Sequence, residues 1–215
     1  MGMQKKKNRT KQVFSLAALL LMLITVFSCF SAAAASESEE QSNGTGKKYI
    51  IAMDTTFAPF EFEDSQGNRV GIDVELLEAI AKDQGFEYEA RAIGFDAALQ
   101  AVESGQADGI LAGCSITEER QKKMDFSTPY FDSGISMAVS KENDSIQSYE
   151  DLRGKKVAVK VGTEGATLAN KLSEQYGFSV VTFDDSANMY EDVKLGNTVA
   201  CFEDYPVLGY AISQD

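Results

Sequence analysis

The sequence has no histidine and few cysteines, and this scarcity restricts the metal chemistry of the protein. None of the 215 residues is histidine and three are cysteine, of which Cys114 and Cys201 lie beyond the first 35 residues. A zinc site built from two thiols and no imidazole would have too few soft ligands. Both cysteines lie among apolar or small residues, which predicts two buried free thiols, although export would permit a disulfide. We therefore expect no metal and no cofactor.

Positive charge is also scarce. The chain has 20 lysine and arginine residues against 33 aspartate and glutamate residues, for a formal net charge of −13. Residues 1–35 contain five of the basic residues and no acidic residue, so the chain without them carries −18. Nucleic acids are bound mainly through their negative phosphates, which a strongly acidic chain repels. The charge balance therefore argues against a nucleic-acid partner.

One long apolar run stands at the start of the chain. The basic stretch "KKKNRTK" precedes "VFSLAALLLMLITVF", and "SAAAAS" follows it before a polar segment. This order predicts an export signal over residues 1–35 and an extracytoplasmic location. A retained membrane-spanning helix is an alternative, although the run is somewhat short for one. Lipid attachment at Cys29, in "VFSC", is another alternative. Residues 36–47 form a polar linker.

Strands and helices alternate after the linker. The stretches "KKYIIAM", "EYEARAI" and "ADGILAG" are typical of strands, and "GIDVELLEAIAKDQG" and "DAALQAVESG" are typical of helices. We expect Asp73 to cap the first helix and Gly85 to end it. A β-α-β-α-β order predicts an α/β fold with a largely parallel sheet between helices. This unit is assigned to residues 48–134, which form lobe one.

A second lobe is predicted over residues 135–215. The extended stretch "MDFSTPYFDSGISMAVSKE" leads into it. The segments "KKVAVKVG", "SVVTF" and "TVACFED" then alternate with the helical patterns "GATLANKLSEQYG" and "NMYEDVKLG", and a short helix is expected at "SYEDLRG". The final "YPVLGYAIS" is also helical in pattern. Lobe two therefore repeats the β-α-β plan of lobe one without repeating its sequence.

Polar and aromatic residues gather where the predicted strands end. The first strand is followed by "MDTTFAPFEF", with Asp54 and Phe57, and the second by Phe95. The third is followed by "AGCSITEER", and Lys160 and "EDYP" end strands of lobe two. Ligands of open α/β sheets bind beyond the carboxyl ends of the strands. The pattern therefore predicts a ligand site at these ends.

Five motifs in order carry a family resemblance: "DTTFAPFEF", "GIDVELLEAIAK", "LAGCSITEERQKKMDFSTPYF", "DLRGKKVAVKVGTEG" and "FEDYP". From Tyr49 onward the chain resembles the extracytoplasmic solute-binding proteins of polar amino-acid ABC transporters, and most closely the glutamine-binding proteins. The resemblance implies a two-lobed, periplasmic-binding-protein-like (type II) fold that closes over one free amino acid. It also implies a monomer that delivers its ligand to the membrane subunits of an ABC transporter.

The resemblance implies a site for the ligand α-carboxylate. Arg120 matches the family arginine that binds this group, and its planar guanidinium suits two carboxylate oxygens. Two helix starts, near Glu118 and Gly165, would add positive dipole ends. Further hydrogen-bond donors are expected from the main chain of Gly113, the hydroxyl of Ser115, and Thr163.

The rest of the ligand is matched by five further residues. Asp204 matches the family acid that binds the α-ammonium group. Phe57 and Phe95 match aromatic walls around the aliphatic part of the ligand. Asp54 and Lys160 match the pair that faces the side-chain amide in glutamine binders, where one group accepts and the other donates a hydrogen bond. Glutamine is therefore the expected ligand.

The chain departs from the family pattern in two places. Glu203 stands where the compared glutamine binder has histidine, and its role stays open. Family members return from lobe two to lobe one through another crossing strand and end in helices, whereas this chain stops at Asp215. We expect it to be a fragment, a truncated reading frame, or the front part of a receptor fused to its transporter. Cys114 is expected to point into the core.

Two other functions stay open at this stage. One is a dehydratase-like enzyme on the same scaffold, with Glu203 or Asp204 as general acid. The other is a ligand-sensing domain of a membrane receptor. The complete set of groups for a zwitterion, without a distinct acid and base pair, favours a binding protein over an enzyme. We therefore expect no catalytic residue.

Overall fold

Two main β-sheets and one two-stranded sheet organise residues 46–214, the part of the chain that the computed structural model describes. The predicted export signal, Cys29 and most of the polar linker lie outside these residues. Within 46–214 no helix has the length and apolar character needed to cross a membrane. Below, lobe one is the described chain before residue 135 and lobe two is the chain from residue 135 onward.

The sheet of lobe one has three parallel strands. The first strand of the chain, Lys48–Met53, lies in the middle, between Glu87–Ala92 and Gly109–Ile110. The parallel arrangement confirms the prediction from the alternation of strands and helices. The strands and the two helices that connect them are β1 (Lys48–Met53), α1 (Ile72–Gln84), β4 (Glu87–Ala92), α2 (Phe95–Glu103) and β5 (Gly109–Ile110).

Helix α1 begins differently from the prediction. Its N-cap is Gly71, and Asp73 lies in the first turn with a side chain that is fully buried. The expected cap at Asp73 is therefore wrong. The predicted end is confirmed, because Gly85 takes the left-handed conformation and donates its N–H to the carbonyl of Ala81.

The stretch between β1 and α1 folds back on itself. The short strands β2 (Phe62–Glu63) and β3 (Arg69–Val70) pair antiparallel. Ahead of them, the amide of Phe57 donates to the carbonyl of Glu61 at 2.8 Å. This turn holds Asp54 and Phe57 close to the carboxyl end of β1.

The sheet of lobe two has four strands in the order β6-β9-β7-β8. Strand β7 is parallel to β8 and β9, as predicted, and β6 is antiparallel to β9. A 3-10 helix at Tyr149–Leu152 occupies the predicted short helix. The other elements are β6 (Ile135–Ala138), β7 (Lys156–Lys160), α3 (Glu164–Tyr176), β8 (Ser179–Phe183), α4 (Ser186–Lys194), β9 (Ala200–Asp204) and α5 (Tyr205–Gln214).

Each lobe has its own apolar core. In lobe one, Ala52 and Ala98 are fully buried between β1 and α2. In lobe two, Leu152, Val157 and Phe202 belong to a larger cluster that covers one face of the sheet. These cores fix the carboxyl ends of β1, β7 and β9, which carry the candidate site.

Candidate functional site

A buried ion pair joins the ends of β1 and β7. Lys160 Nζ lies 2.6 Å from Asp54 Oδ2, and both side chains are almost completely excluded from solvent. The other Asp54 oxygen accepts the amide of Thr55 at 2.7 Å. The two residues come from different lobes, 106 positions apart. The structure thus brings together the pair that the sequence assigned to the ligand side chain, and it pairs them with each other.

Phe57 forms an aromatic wall beside this pair. Its ring is buried and lies 4.6 Å from Lys160 Nζ, a cation–π contact. Gly113 packs closely against the Phe57 ring. A Cβ at Gly113 would lie 2.4 Å from a Phe57 ring carbon, and its φ of 51° is in the left-handed region. A larger residue at Gly113 would therefore push the ring out of place.

Arg120 is buried where the two lobes meet. Its Nη1 donates to the carbonyl of Ser115 in lobe one at 2.9 Å, and its Nη2 donates to the carbonyl of Gly162 in lobe two at 2.9 Å. The carboxylate of Glu164 lies 3.6 Å from Nη2. The guanidinium also stacks 5.3 Å from the ring of Phe95. A guanidinium held in this way is rigid and faces acceptors from both lobes.

Cys114 lies at the site rather than in the core. Its Sγ is 3.6 Å from Arg120 Nη1, and the residue is half-buried, so the expectation that it points into the core is wrong. Cys114 and Cys201 are both free thiols, as predicted. Burial raises the pKa of the Cys201 thiol to about 12 and also raises the pKa of Cys114, against the opposing effect of Arg120.

The other predicted donors for a carboxylate have internal partners. The amide of Gly113 donates to Asp73 Oδ2 at 2.7 Å. The hydroxyl of Thr163 caps α3, where it accepts the amide of Ala166 at 3.1 Å and donates to the carbonyl of Lys160 at 2.8 Å. The Ser115 hydroxyl makes no hydrogen bond to another residue in the described range. Of these three groups, Ser115 therefore offers a ready donor.

The two predicted helix starts differ. Helix α3 begins at Glu164, next to the expected Gly165, and points its N-terminus at the junction of the lobes. The stretch after Glu118 forms a three-residue 3-10 helix, Arg120–Lys122, instead of an α-helix. A single tight turn has too few aligned peptides to provide a substantial dipole. The expectation of a second dipole is therefore wrong.

Asp204 ends β9 and lies close to both basic residues. It is buried, and its Oδ1 accepts the hydroxyl of Ser133 at 2.6 Å. Burial raises the pKa of Asp204, while Ser133, Lys160 and Arg120 oppose this rise. The groups that lower the pKa favour the charged carboxylate, and a bound cation would add to them.

Glu203 is buried beside Asp204 and faces the opposite side of β9. Its oxygens accept the hydroxyl of Ser186 at 2.9 Å and the amide of Asp204 at 3.1 Å. Burial raises the pKa of Glu203, and Lys160 lowers it. The amide of Ser186 in turn donates to the hydroxyl of Thr56 in lobe one at 3.1 Å. Glu203 thus belongs to a chain of hydrogen bonds that links the lobes.

Several residues of the site were not predicted from the sequence. Ser133, Ser186 and Glu164 are ordinary polar residues in loops or at helix starts, and no local pattern marks them. Glu61 and Asp73 are different. Both are acids that interrupt apolar or aromatic stretches, and this pattern could have predicted their burial.

A cavity of about 870 Å³ opens along lobe one beside the site. Four predicted site residues line it, and five do not. Its lining continues along α1 and the segment 123–135, with both apolar and polar side chains. The four residues in its lining are Phe57, Gly113, Ser115 and Asp204, and the five outside it are Asp54, Phe95, Arg120, Lys160 and Thr163.

The site has a cation at one position and a carboxylate at another, with aromatic rings between the lobes. Within residues 46–214 no group of histidine, cysteine and acidic side chains could hold a metal ion. The arrangement suits a small molecule with a negative and a positive group, because each charge would meet an opposite partner in a buried place.

Sequence comparison identifies relatives of the chain. The model of the bacterial extracellular solute-binding proteins, family 3, matches residues 49–200. The arginine-binding extracellular protein ArtP of Bacillus subtilis is 34% identical over 91% of this chain and 76% of its own length. The L-cystine-binding protein TcyJ of Escherichia coli K12 is 34% identical over 72% of this chain and 58% of its own length. The chain therefore spans somewhat more than half to three quarters of these relatives.

Solved structures support the same relationship. An ancestral arginine-binding protein bound to arginine has a TM-score of 0.74 and 39% identity, and the match covers 78% of this chain and 74% of that one. The same kind of protein bound to glutamine gives a TM-score of 0.73 at 39% identity, over 78% and 73% of the two chains. The α/β fold with two lobes is that of the type II periplasmic binding proteins. The chain belongs to family 3 of the bacterial extracellular solute-binding proteins.

Proposed function

We propose that the protein binds one free polar amino acid, glutamine in the first place, between its lobes and delivers it to the membrane subunits of an ABC importer. The observation that carries this proposal is that two buried residues of opposite charge, Arg120 and Asp204, both lie at the junction of the lobes. Arg120 would bind the α-carboxylate and Asp204 the α-ammonium group. A free α-amino acid is the common ligand that requires both.

The ligand carboxylate would replace a weak contact of Arg120. The guanidinium already donates to two backbone carbonyls, and the Glu164 carboxylate lies 3.6 Å from Nη2. A carboxylate in place of Glu164 would form a shorter, charge-assisted hydrogen bond. The Ser115 hydroxyl would add a donor. Phe57 and Phe95 would contact the aliphatic part of the ligand.

The Asp54–Lys160 pair supports glutamine over arginine as the ligand. Asp54 already has a cation at 2.6 Å, so it does not need the guanidinium of a bound arginine. The positive charge of Lys160 would also repel a cationic side chain in this buried region. A neutral amide can accept from Lys160 and donate to Asp54 without this cost. ArtP, which is named for arginine, is therefore a relative whose ligand we do not transfer to this chain.

The test is isothermal titration calorimetry of the purified full chain with glutamine, arginine, histidine, cystine and leucine. We expect glutamine to bind more tightly than arginine, and leucine to bind weakly. Arginine binding more tightly than glutamine would overturn the assignment of the side-chain site. Leucine binding at least as tightly as glutamine would overturn the polar class.

Delivery to an importer needs a separate test. In proteoliposomes with the cognate membrane subunits, the loaded protein should stimulate ATP hydrolysis, and the Arg120→Ala variant should not. Slow chemical conversion of the amino acid by the protein alone would favour the dehydratase-like alternative. Stimulation that does not depend on the amino acid would contradict the receptor role.

A further inference from the structure

Two carboxyl groups in lobe one are buried without the donors that ionised carboxylates need. Glu61 and Asp73 are both fully excluded from solvent. Three of their four oxygens accept no hydrogen bond from the described residues. These are Oε1 and Oε2 of Glu61 and Oδ1 of Asp73. A buried carboxylate without donors is energetically costly. At least one of these groups therefore needs a proton.

The backbone places the two groups side by side. The amide of Asp73 donates to the carbonyl of Phe60 at 2.8 Å, and Phe60 directly precedes Glu61. Burial, followed by the charges of Asp73 and Asp54 and a hydrogen bond to Asp73, raises the pKa of Glu61 to about 11, against a smaller opposing effect of Lys160. Two ionised carboxylates at this place would repel each other. When one of them carries a proton, it can donate a hydrogen bond to the other.

Asp73 connects this pair to the proposed ligand site. Its Oδ2 accepts the amide of Gly113 at 2.7 Å. Gly113 begins the segment that leads to Ser115, whose carbonyl accepts from Arg120. Tyr130, on the segment that connects the lobes, lies near both acids: burial and then Asp73 raise its pKa, and Glu61 adds to the rise. The negative charge of Asp73 thus holds a backbone amide of the proposed carboxylate site.

We propose that Glu61 and Asp73 share one proton and act together as positioning residues that hold the Gly113 segment against the ligand site. Glu61 carries the proton and donates a hydrogen bond to Asp73. Asp73 stays charged and accepts the hydrogen bond from the Gly113 amide. The charged and titratable groups that face Glu61 are Asp73, Asp54, Lys160 and Tyr130, and Tyr130 also faces Asp73. Only the effect on ligand affinity rests on the proposed function.

The first test measures stability against pH in the full chain. Above about 4.5, the ordinary pKa of the glutamate, the unfolded chain releases a proton that folded Glu61 retains until about 11. Stability must therefore fall as pH rises through this range. Glu61→Gln keeps the shape and a donor but has no proton to release. Its urea midpoint should fall less than that of the wild type between about pH 5 and about pH 9.

The matched control is Glu75→Gln. Glu75 is exposed on α1, the helix that carries Asp73, and the substitution makes the same chemical change in the side chain. This variant should follow the pH dependence of the wild type. If Glu61→Gln also follows the wild type at every pH, Glu61 ionises like an ordinary carboxyl group and the proposal is overturned.

A spectroscopic test observes the proton itself. At about pH 8 ordinary carboxyl groups are ionised. The wild type should show the infrared carbonyl stretch of a protonated carboxylic acid, and this band should weaken in Glu61→Gln and persist in Glu75→Gln. An unchanged band in Glu61→Gln would overturn the shared proton.

Ligand binding tests the positioning role. Folded Asp73→Ala should bind glutamine at least ~10-fold more weakly, because the Gly113 amide loses its charged acceptor. The exposed control Glu75→Gln should bind like the wild type at about pH 7. Wild-type affinity in folded Asp73→Ala would contradict the positioning role. So would rapid hydrogen exchange at the Gly113 amide of the wild type, a measurement that needs no variant. If the wild type binds no amino acid, the proposed function fails, while the unfolding and infrared results still decide the shared proton.

Discussion

At the scale of single residues, the buried charged side chains point to the ligand site. The chain is acidic, yet the two most buried basic side chains of residues 46–214, Lys160 and Arg120, both lie at the junction of the lobes. A buried cation is retained only where partners offset its lost hydration. Lys160 has Asp54 as such a partner, and Arg120 has carbonyl oxygens and one distant carboxylate. Arg120 is therefore the residue that a ligand anion would best complete.

The first residue-scale prediction concerns Arg120. Removal of one side of a buried charge pair typically costs about 2–5 kcal/mol. Arg120→Ala should therefore weaken amino-acid binding by roughly 30-fold to several thousand-fold in calorimetry. Arg120→Lys should recover only a part, because an ammonium group cannot form the two-pronged contact. Lys122→Ala, at an exposed neighbour, is the control. Full affinity in a folded Arg120→Ala variant would mean that the carboxylate binds elsewhere.

The second residue-scale prediction concerns ligand preference. Lys160→Met would leave the buried Asp54 carboxylate without its cation, and a ligand guanidinium could then replace it. We expect the ratio of arginine to glutamine affinity to rise about tenfold or more, equivalent to ~1.4 kcal/mol. The double variant Asp54→Asn with Lys160→Met removes both charges and should lose this gain. An unchanged preference in the single variant would show that the pair does not contact the ligand side chain.

At the scale of elements, the order of strands and helices could be predicted from the sequence, whereas several ends and cappings could not. The alternation of apolar stretches placed β1, α1, β7 and α3 correctly, because periodicity is a local property. The capping of α1 was wrong because Asp73 is engaged by Gly113, 40 residues away. A contact so distant in sequence leaves no local pattern.

The site shows the same division. The family resemblance named the residues that meet at the lobe junction, and the structure places Asp54, Lys160 and Arg120 there. The direct contact between Asp54 and Lys160 depends on how far the lobes close, which no sequence pattern encodes. The "ADGILAG" stretch was predicted as a strand, but β5 has two residues, because its pairing with β1 extends only over Ile51 and Ala52.

The element-scale prediction concerns the N-cap of α4. Asp185 caps this helix by accepting the amide of Asn188 at 2.8 Å. Asp185→Ala should lower the free energy of unfolding by about 0.5–2 kcal/mol in urea titrations, the usual cost of losing such a cap. Asp184→Ala, at the exposed neighbouring acid, removes the same charge without a cap and should have little effect. Equal losses in both variants would assign the effect to charge instead of capping.

At the scale of the whole molecule, the two lobes are joined by contacts of different kinds. Three of them are the Asp54–Lys160 ion pair, the Arg120 hydrogen bond to Gly162, and the hydrogen bond from Ser186 to Thr56. The first two involve residues that we assign to the ligand. The third does not, so it offers a way to change lobe closure without changing the ligand contacts.

The whole-molecule prediction uses this third contact. Thr56→Val removes the acceptor of the Ser186 amide and keeps the shape of the side chain. A hydrogen bond of this kind contributes about 0.5–1.5 kcal/mol, so the closed form should be weakened by roughly 2- to 12-fold. In stopped-flow fluorescence, the dissociation rate of glutamine should rise by this factor while the association rate changes little. Thr55→Val is the control, since the Thr55 hydroxyl makes no hydrogen bond to the described residues. A slower association rate with an unchanged dissociation rate would contradict a role in holding the lobes closed. If the Ser186–Thr56 contact forms after the ligand has entered, it should affect the rate at which the ligand leaves.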